Sequence, residues 1–169
     1  SNIFAWDEKN KQNEKSVLAP SSIYALSKST VYLAAKMYNR IYNLHICGAI
    51  FFNHESPRRR LDYVSQKIVY NACEIYLGRR KNIELGDINI KIDWGYAKEY
   101  VEAAWKIAQQ KKPDFFAIGS GKSYKVEEFC RKVFEYLNLD YKKYLKINKK
   151  FLRKGKNSNL KSDISKAKK

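Results

Sequence analysis

Tyr24 and Lys28 are the pair of residues in this sequence best placed to do chemistry. On a helix, a spacing of four puts both side chains on one face, one turn apart. An ammonium beside a phenol favours the phenolate and lowers the phenol's pKa. A tyrosine held that way can take a proton from an alcohol near neutral pH, which a free phenol of pKa about 10 does poorly. The spacing by itself is common here, since it recurs at Tyr32/Lys36 and Tyr63/Lys67, and its ordinary meaning is a solvated helix face. Context separates Tyr24/Lys28 from the other two. Pro20, Ser21 and Ser22 precede it, small residues surround it, and an apolar stretch follows that ends in Asn53-His54-Glu55-Ser56-Pro57-Arg58-Arg59.

The elements that would position these groups alternate between strand and helix. Pro20, Ser21 and Ser22 signal a helix start, and apolar positions at Ile23, Leu26, Val31, Ala34, Ala35, Met37, Tyr38 and Ile41 predict one long, well-buried helix over residues 20–43. Leu44 to Phe52 is apolar apart from His45, which suits a central parallel strand. A helix is expected over 63–77, stopped by Gly78. Short strands are expected at 83–85 and 88–90, a helix at 96–111, a strand at 115–118, a helix at 124–138 and a strand at 144–147. Ser1 to Trp6 reads as the end of a strand. This alternation argues an α/β fold.

Composition narrows the function. A length of 169 residues suits one domain, and 44% hydrophobic residues suffice for a core. No apolar run approaches the roughly 18 residues of a membrane span, no signal-peptide pattern opens the chain, and a cytoplasmic protein is the default expectation. Cys47, Cys73 and Cys130 are far apart among largely apolar neighbours and read as buried thiols, with no metal site. The net charge is +17, of which residues 142–169 supply +11. A basic tail of this kind can bind polyanions, but no zinc-finger, helix-turn-helix or RNP pattern accompanies it, so nucleic-acid binding is not expected. No Gly-x-x-Gly-x-x-Gly follows a strand, and Gly119-Ser120-Gly121-Lys122 reads as a turn.

The runs Phe51-Phe-Asn-His-Glu-Ser-Pro-Arg-Arg59 and Asp93-Trp-Gly-Tyr-Ala-Lys-Glu-Tyr-Val101, in order after Tyr24/Lys28, resemble the extended short-chain dehydrogenase/reductases, and within them the GDP-mannose 4,6-dehydratases. The resemblance covers only that family's C-terminal half. It implies the C-terminal part of a Rossmann-type parallel sheet plus the small substrate-binding domain, with the N-terminal glycine-loop half missing. Residues 1–60 would complete the dinucleotide-binding domain. Residues 61–169 would form a mixed Rossmann and nucleotide-sugar region, with a basic tail from about 142. A fragment of a longer chain is the expectation.

The resemblance also implies roles. Tyr24 would take the proton of the sugar C4 hydroxyl, and Lys28 would bind the nicotinamide ribose of NADP. His54 and Arg59 would contact NADP, Asn53 the GDP-sugar substrate, and Lys67 its diphosphate. A homo-oligomer, dimer or tetramer, is implied for the full-length form. Beside these stand plainer readings: His54 caps a loop, Asn53 is a turn residue, Arg58 to Arg60 is a solvated charge run, and Asp93-Trp94 packs.

Three positions depart from the family pattern. Asn2 falls where the family has the Glu that removes the C5 proton, and an amide cannot act as that base. Ile92 stands for an Arg, and Arg60 for a Gly. These departures leave open a related reductase or epimerase, or a non-catalytic truncated paralogue that needs a partner half.

Overall fold

A computed structural model describes residues 2–5, 11–152 and 161–169; Ser1, Trp6 and residues 153–160 of the basic end lie outside them. In chain order the elements are α1 (Ile23–Tyr42), β1 (Gly48–Phe51), β2 (Asn53–Glu55), α2 (Val64–Tyr76), β3 (Ile83–Leu85) and β4 (Lys91–Ile92). There follow β5 (Trp94–Tyr96), α3 (Ala97–Ala108), β6 (Phe115–Ile118), β7 (Tyr124–Lys125), α4 (Val126–Tyr136) and β8 (Leu145–Ile147). They form two units: Ser1–His54 with Asp93–Ser123 and Leu160–Lys169, and Glu55–Ile92 with Tyr124–Asn159.

In the first unit β1 and β6 pair in parallel, from Gly48 opposite Phe115 to Phe51 opposite Ile118. Alternate residues of the two strands enter different clusters. Ile50, Phe52 and Ala117 join Ile3 and Phe4, whereas Ala49, Phe51, Phe116 and Ile118 meet Tyr100 and Ile107 of α3. Burial on both faces is why these strands read as unbroken apolar runs. The strand expected over 44–52 is shorter than that. Residues 44–47 form a loop whose Ile46 backbone is held at both ends by the Asn39 amide, at 3.0 and 2.8 Å. Among the described residues β1 has a strand neighbour on one side, β6. Residues 3–5 do not extend this sheet but run antiparallel to 17–19, with Phe4 opposite Leu18.

The helix α1 starts where Ser22 accepts a hydrogen bond from the Ala25 amide at 3.1 Å, and it ends at Asn43 with a left-handed φ of 50°. It is not the well-buried helix expected. Only Ala25 and Ser29 are buried along it, and Ile23, Leu26, Val31, Leu33 and Ile41 are each more than half exposed. Apolar periodicity marks a face that gains from being covered, but the described residues do not cover it.

Asp93 is fully buried beside β5. Its Oδ1 accepts from the Ser120 amide (2.8 Å) and hydroxyl (2.6 Å). Its Oδ2 accepts from the Gly121 amide (3.2 Å), the Ser162 amide (2.9 Å) and the Ser162 hydroxyl (2.6 Å). A Cβ on Gly119 would collide with the Ser162 side chain, so only glycine fits there. The lysine-rich end is thus not simply a solvated tail: Ser162 bridges to Gln12, and Lys166 donates to Asp114 (2.6 Å) and the Phe115 carbonyl (2.9 Å).

In the second unit α2 buries Ile68, Ala72 and Ile75, and α4 buries Val126, Cys130 and Phe134. The strands β3 and β8 pair in parallel, and β4 and β7 antiparallel. The strand expected at 88–90 is instead a turn. The Asp87 carboxylate takes the Asn89 amide (2.8 Å), while the Ile88 and Ile90 carbonyls accept from the first amides of α4. The three cysteines are free, but only Cys130 is buried. Cys73 is exposed, because it falls on the outer side of α2, and Cys47 is half-buried.

Two outcomes follow. Asp93→Ala leaves several buried donors without an acceptor, at about 1–3 kcal/mol each, so it should destabilise the first unit by at least about 3 kcal/mol in urea denaturation. An unchanged midpoint would contradict this. Burial pushes the Asp114 carboxyl up, but hydrogen bonds from Lys166 and the Phe115 amide outweigh it and hold the group below its ordinary value of 3.8. Its stabilising effect is therefore present above the unfolded pKa and is lost as pH falls through the lower folded one. Lys166→Met should flatten the acid loss of stability below about pH 4. The check is denaturation midpoints measured across the acid range for both proteins, where parallel curves would exclude it.

Candidate functional site

Tyr24 and Lys28 lie in the first two turns of α1, where Ser22 fixes the helix start. The Lys28 Nζ sits 5.6 Å from the centre of the Tyr24 ring, within reach of a cation–π attraction. Tyr24 is 63% exposed, so its hydroxyl is open to a ligand. Asn2, next to the buried Ile3, is exposed as well.

The strand pair β1 and β6 leads into β2, which pairs with β5 and carries Asn53 and His54. The His54 ring packs between Phe51 and Tyr100, at centroid distances of 5.3 and 4.9 Å. Its Nδ1 lies 2.9 Å from the Phe52 carbonyl. A carbonyl can only accept, so Nδ1 carries the proton, and in the neutral ring Nε2 is left as the acceptor. The buried Tyr100 donates to the Asn53 carbonyl at 3.3 Å. Burial, then the nearby Asp93 and Glu99 carboxylates, raise this phenol's pKa. Tyr100 is therefore a neutral prop beneath His54 and Asn53, not a base.

In the second unit Ser56 and Pro57 open a turn closed by the Arg59 amide on the Ser56 carbonyl (3.0 Å), with proline at its favoured second position. The turn aims Arg59 at Glu55 (3.1 Å) and lays its guanidinium over the Tyr63 ring at 3.6 Å. The buried Nε has no aligned hydrogen-bond acceptor despite that ion pair. Ser65 in turn holds Glu55 at 2.7 Å. Arg60 lies outside this arrangement, paired with exposed Asp62.

Lys67, on α2, reaches a cavity of about 370 Å³ lined also by Arg80, Lys81, Asn82, Glu84 and Phe151. Its Nζ stands 4.0 Å above the Phe151 ring. Burial lowers its pKa; Glu84 opposes this and Arg80 adds to it. Three cations around one carboxylate make a hollow suited to an anion of more than one charge. Arg80, Asn82 and Phe151 carry no motif and escape a sequence reading; the only hint is the basic run Arg79-Arg80-Lys81. The Asp93 network with Ser120, Gly121 and Ser162 was equally hidden.

Tyr24, Lys28, Asn2, Asn53 and His54 belong to the first unit, and Arg59 and Lys67 to the second. Within the first unit the structure brings Tyr24 to Lys28 and Asn53 to His54. Within the second it groups Arg59 with Glu55 and Tyr63, and Lys67 with Arg80 and Phe151.

The family described as GDP-mannose 4,6 dehydratase matches residues 1–169. GDP-mannose 4,6 dehydratase 1 of Arabidopsis thaliana is 40% identical over 157 residues, 93% of this chain and 44% of that protein. GDP-mannose 4,6 dehydratase 2 of Caenorhabditis elegans is 41% identical over 134 residues, 79% of this chain and 35% of that protein. The chain thus spans less than half the length of the curated relatives it matches. A dTDP-glucose 4,6-dehydratase from Bacillus anthracis, solved with NAD, superposes with a TM-score of 0.86 at 19% identity, covering 99% of this chain and 51% of that one. RMD from Pseudomonas aeruginosa, solved with NADPH, gives 0.86 at 14% identity, covering 98% and 55%. At such identities the likeness concerns the fold, which is the Rossmann-like α/β fold of those proteins. With its match running from the first residue to the last, this chain belongs to the GDP-mannose 4,6 dehydratase family.

Proposed function

We propose that the chain forms the C-terminal, substrate-facing part of an enzyme that converts GDP-mannose to GDP-4-keto-6-deoxymannose with NADP. The observation that carries this reading is the family match along the whole chain together with an open Tyr24/Lys28 pair at the start of α1. Residues 1–60 serve the dinucleotide-binding domain, and 61–169 the mixed Rossmann and nucleotide-sugar region. Among the described residues no helix is long and apolar enough to cross a membrane, in keeping with action in the cytoplasm.

The residues present suit both ligands. Lys28, His54 and Arg59 offer the donors a phosphate-bearing dinucleotide takes. NADP, when bound, supplies hydride acceptance at sugar C4 and its return at C6. Tyr24 takes the C4 hydroxyl proton, and Lys28 would bond the nicotinamide ribose. Asn53 orients the sugar, and Lys67 holds the diphosphate in its cationic hollow. The full-length form assembles as a homo-oligomer, dimer or tetramer.

One observation favours a second reading. Asn2 offers no carboxylate for the C5 proton, so the elimination step lacks its base. A reductase or epimerase of the same family needs only the redox half. A non-catalytic paralogue that joins a partner half is consistent with the same sequence, since it holds no glycine loop.

The isolated 169-residue chain should turn over no GDP-mannose, because its sequence carries no Gly-x-x-Gly-x-x-Gly to let the backbone approach the pyrophosphate of NADP. Joined to the glycine-loop half of a relative, it should form 4-keto product visible by NMR, or oxidise the sugar without eliminating water if the redox-only reading holds. In that assembled enzyme Tyr24→Phe should lower kcat by about 10²–10⁴-fold; an unchanged kcat removes Tyr24 from the chemistry. Lys67→Met should weaken GDP-sugar binding by about ten- to a hundredfold, the worth of one hydrogen bond to a charged group. Titration calorimetry would show it, and equal affinities would take Lys67 out of the diphosphate site.

A further inference from the structure

Next to the start of β1 lies a hollow of about 370 Å³ bounded by His45, Cys47, Ala49, Ala104, Ile107 and Ala108. It lies wholly in the first unit, and none of the residues assigned above to substrate or cofactor lines it. Two of its side chains can do chemistry. The Cys47 Sγ and the His45 Nε2 are 3.5 Å apart, a thiol–imidazole hydrogen bond. The loop that carries them is fixed: the Ile46 amide reaches the Leu44 carbonyl at 3.1 Å across His45, a tight turn that brings the His45 ring to Cys47. The Asn39 side-chain amide holds both the N–H and the carbonyl of Ile46, the residue between them. The Gly48 amide, just beyond Cys47, is tied to the Asp114 carbonyl at 3.0 Å. The pair is thus built into the fold at its middle and at its end. The rest of the lining is small or aliphatic, which leaves room beside the sulfur and offers it no competing partner.

We propose that Cys47, with His45 as its base, is a thiol–disulfide exchange site for a small disulfide with aromatic or aliphatic substituents. The imidazole takes the thiol proton, and the Cys47 sulfur attacks one sulfur of the incoming disulfide. The S–S bond of that molecule breaks as the new one to Cys47 forms. The departing thiolate takes the proton back from His45, so Cys47 is oxidised, the departing sulfur is reduced, and the imidazole is unchanged at the end. The apolar walls receive the remainder of the mixed disulfide.

The chain provides its own references. Cys73 on α2 is an exposed thiol. Cys130 is buried, and burial pushes its thiol up to about 12, which leaves it inert. The test is reaction of the folded chain with an aromatic disulfide, 5,5′-dithiobis(2-nitrobenzoate). Partly reacted samples are mapped by peptide mass spectrometry, which needs no variant. Cys47 should be modified before Cys73, with a rate about tenfold higher, and the difference should vanish in urea. His45→Ala should bring the Cys47 rate down to that of Cys73 and leave the Cys73 rate alone. His45→Gln, which keeps a polar side chain of similar size without a base, should do the same. Equal rates for Cys47 and Cys73 in the folded wild type, or an undiminished Cys47 rate in a folded His45→Gln, would overturn the assignment.

Discussion

A carboxylate with no access to water has to be met by donors from the chain, and Asp93 imposes that demand on the first unit. The donors come from the end of β6, at Ser120 and Gly121, and from Ser162 near the C-terminal end. One side chain thus binds three segments that are far apart in sequence. The close approach at Gly119 exists because the Ser162 hydroxyl must reach the same oxygen. Asp93 also stands directly before β5, whose partner β2 carries Asn53 and His54. Positioning of those two residues therefore rests on a buried charge being satisfied. The Gly119-Ser120-Gly121 turn, which has the look of a phosphate cradle, already has its anion: two of its amides point at a carboxylate of the protein.

Cations dominate the chain, and the fold treats them unequally. Arg59 is tied to Glu55 and stacked on Tyr63, and Lys166 is tied to Asp114. Lys67 and Arg80 share a hollow with a single carboxylate, Glu84, and burial lowers the lysine's pKa. A charge disfavoured by burial gains more from an incoming anion than the many solvated lysines do.

The exposed side of α1 belongs with the length of the relatives. A helix with this much apolar surface facing water is under-covered by the described residues, and the relatives are more than twice as long as the stretch matched in them. Burial energy is proportional to area removed from water and has no direction. Periodicity therefore tells which face of α1 needs a partner and cannot tell what that partner is.

The sequence by itself determined the helices and the longer strands, because helix and strand periods are local properties of the chain. The helices expected from residues 20, 63, 96 and 124 begin at Ile23, Val64, Ala97 and Val126, and β6 and β8 fell where their apolar runs lie, whereas the two- and three-residue strands β2, β4, β5 and β7 are too short to leave a period. It also determined the family, since Asn53 to Arg59 and Asp93 to Val101 are long enough to be specific. Only the tertiary structure decided which of those residues meet. Asp93 finding Ser162, Lys67 finding Arg80 and Phe151, and His45 finding Cys47 in front of an open hollow depend on how strands and helices are laid against each other. Contacts across tens of residues leave no period or spacing in the chain to be read. The same holds for burial: Cys73 and most of α1 are apolar in their surroundings along the chain, yet lie in water, because exposure is set by neighbours in space and not by neighbours in sequence.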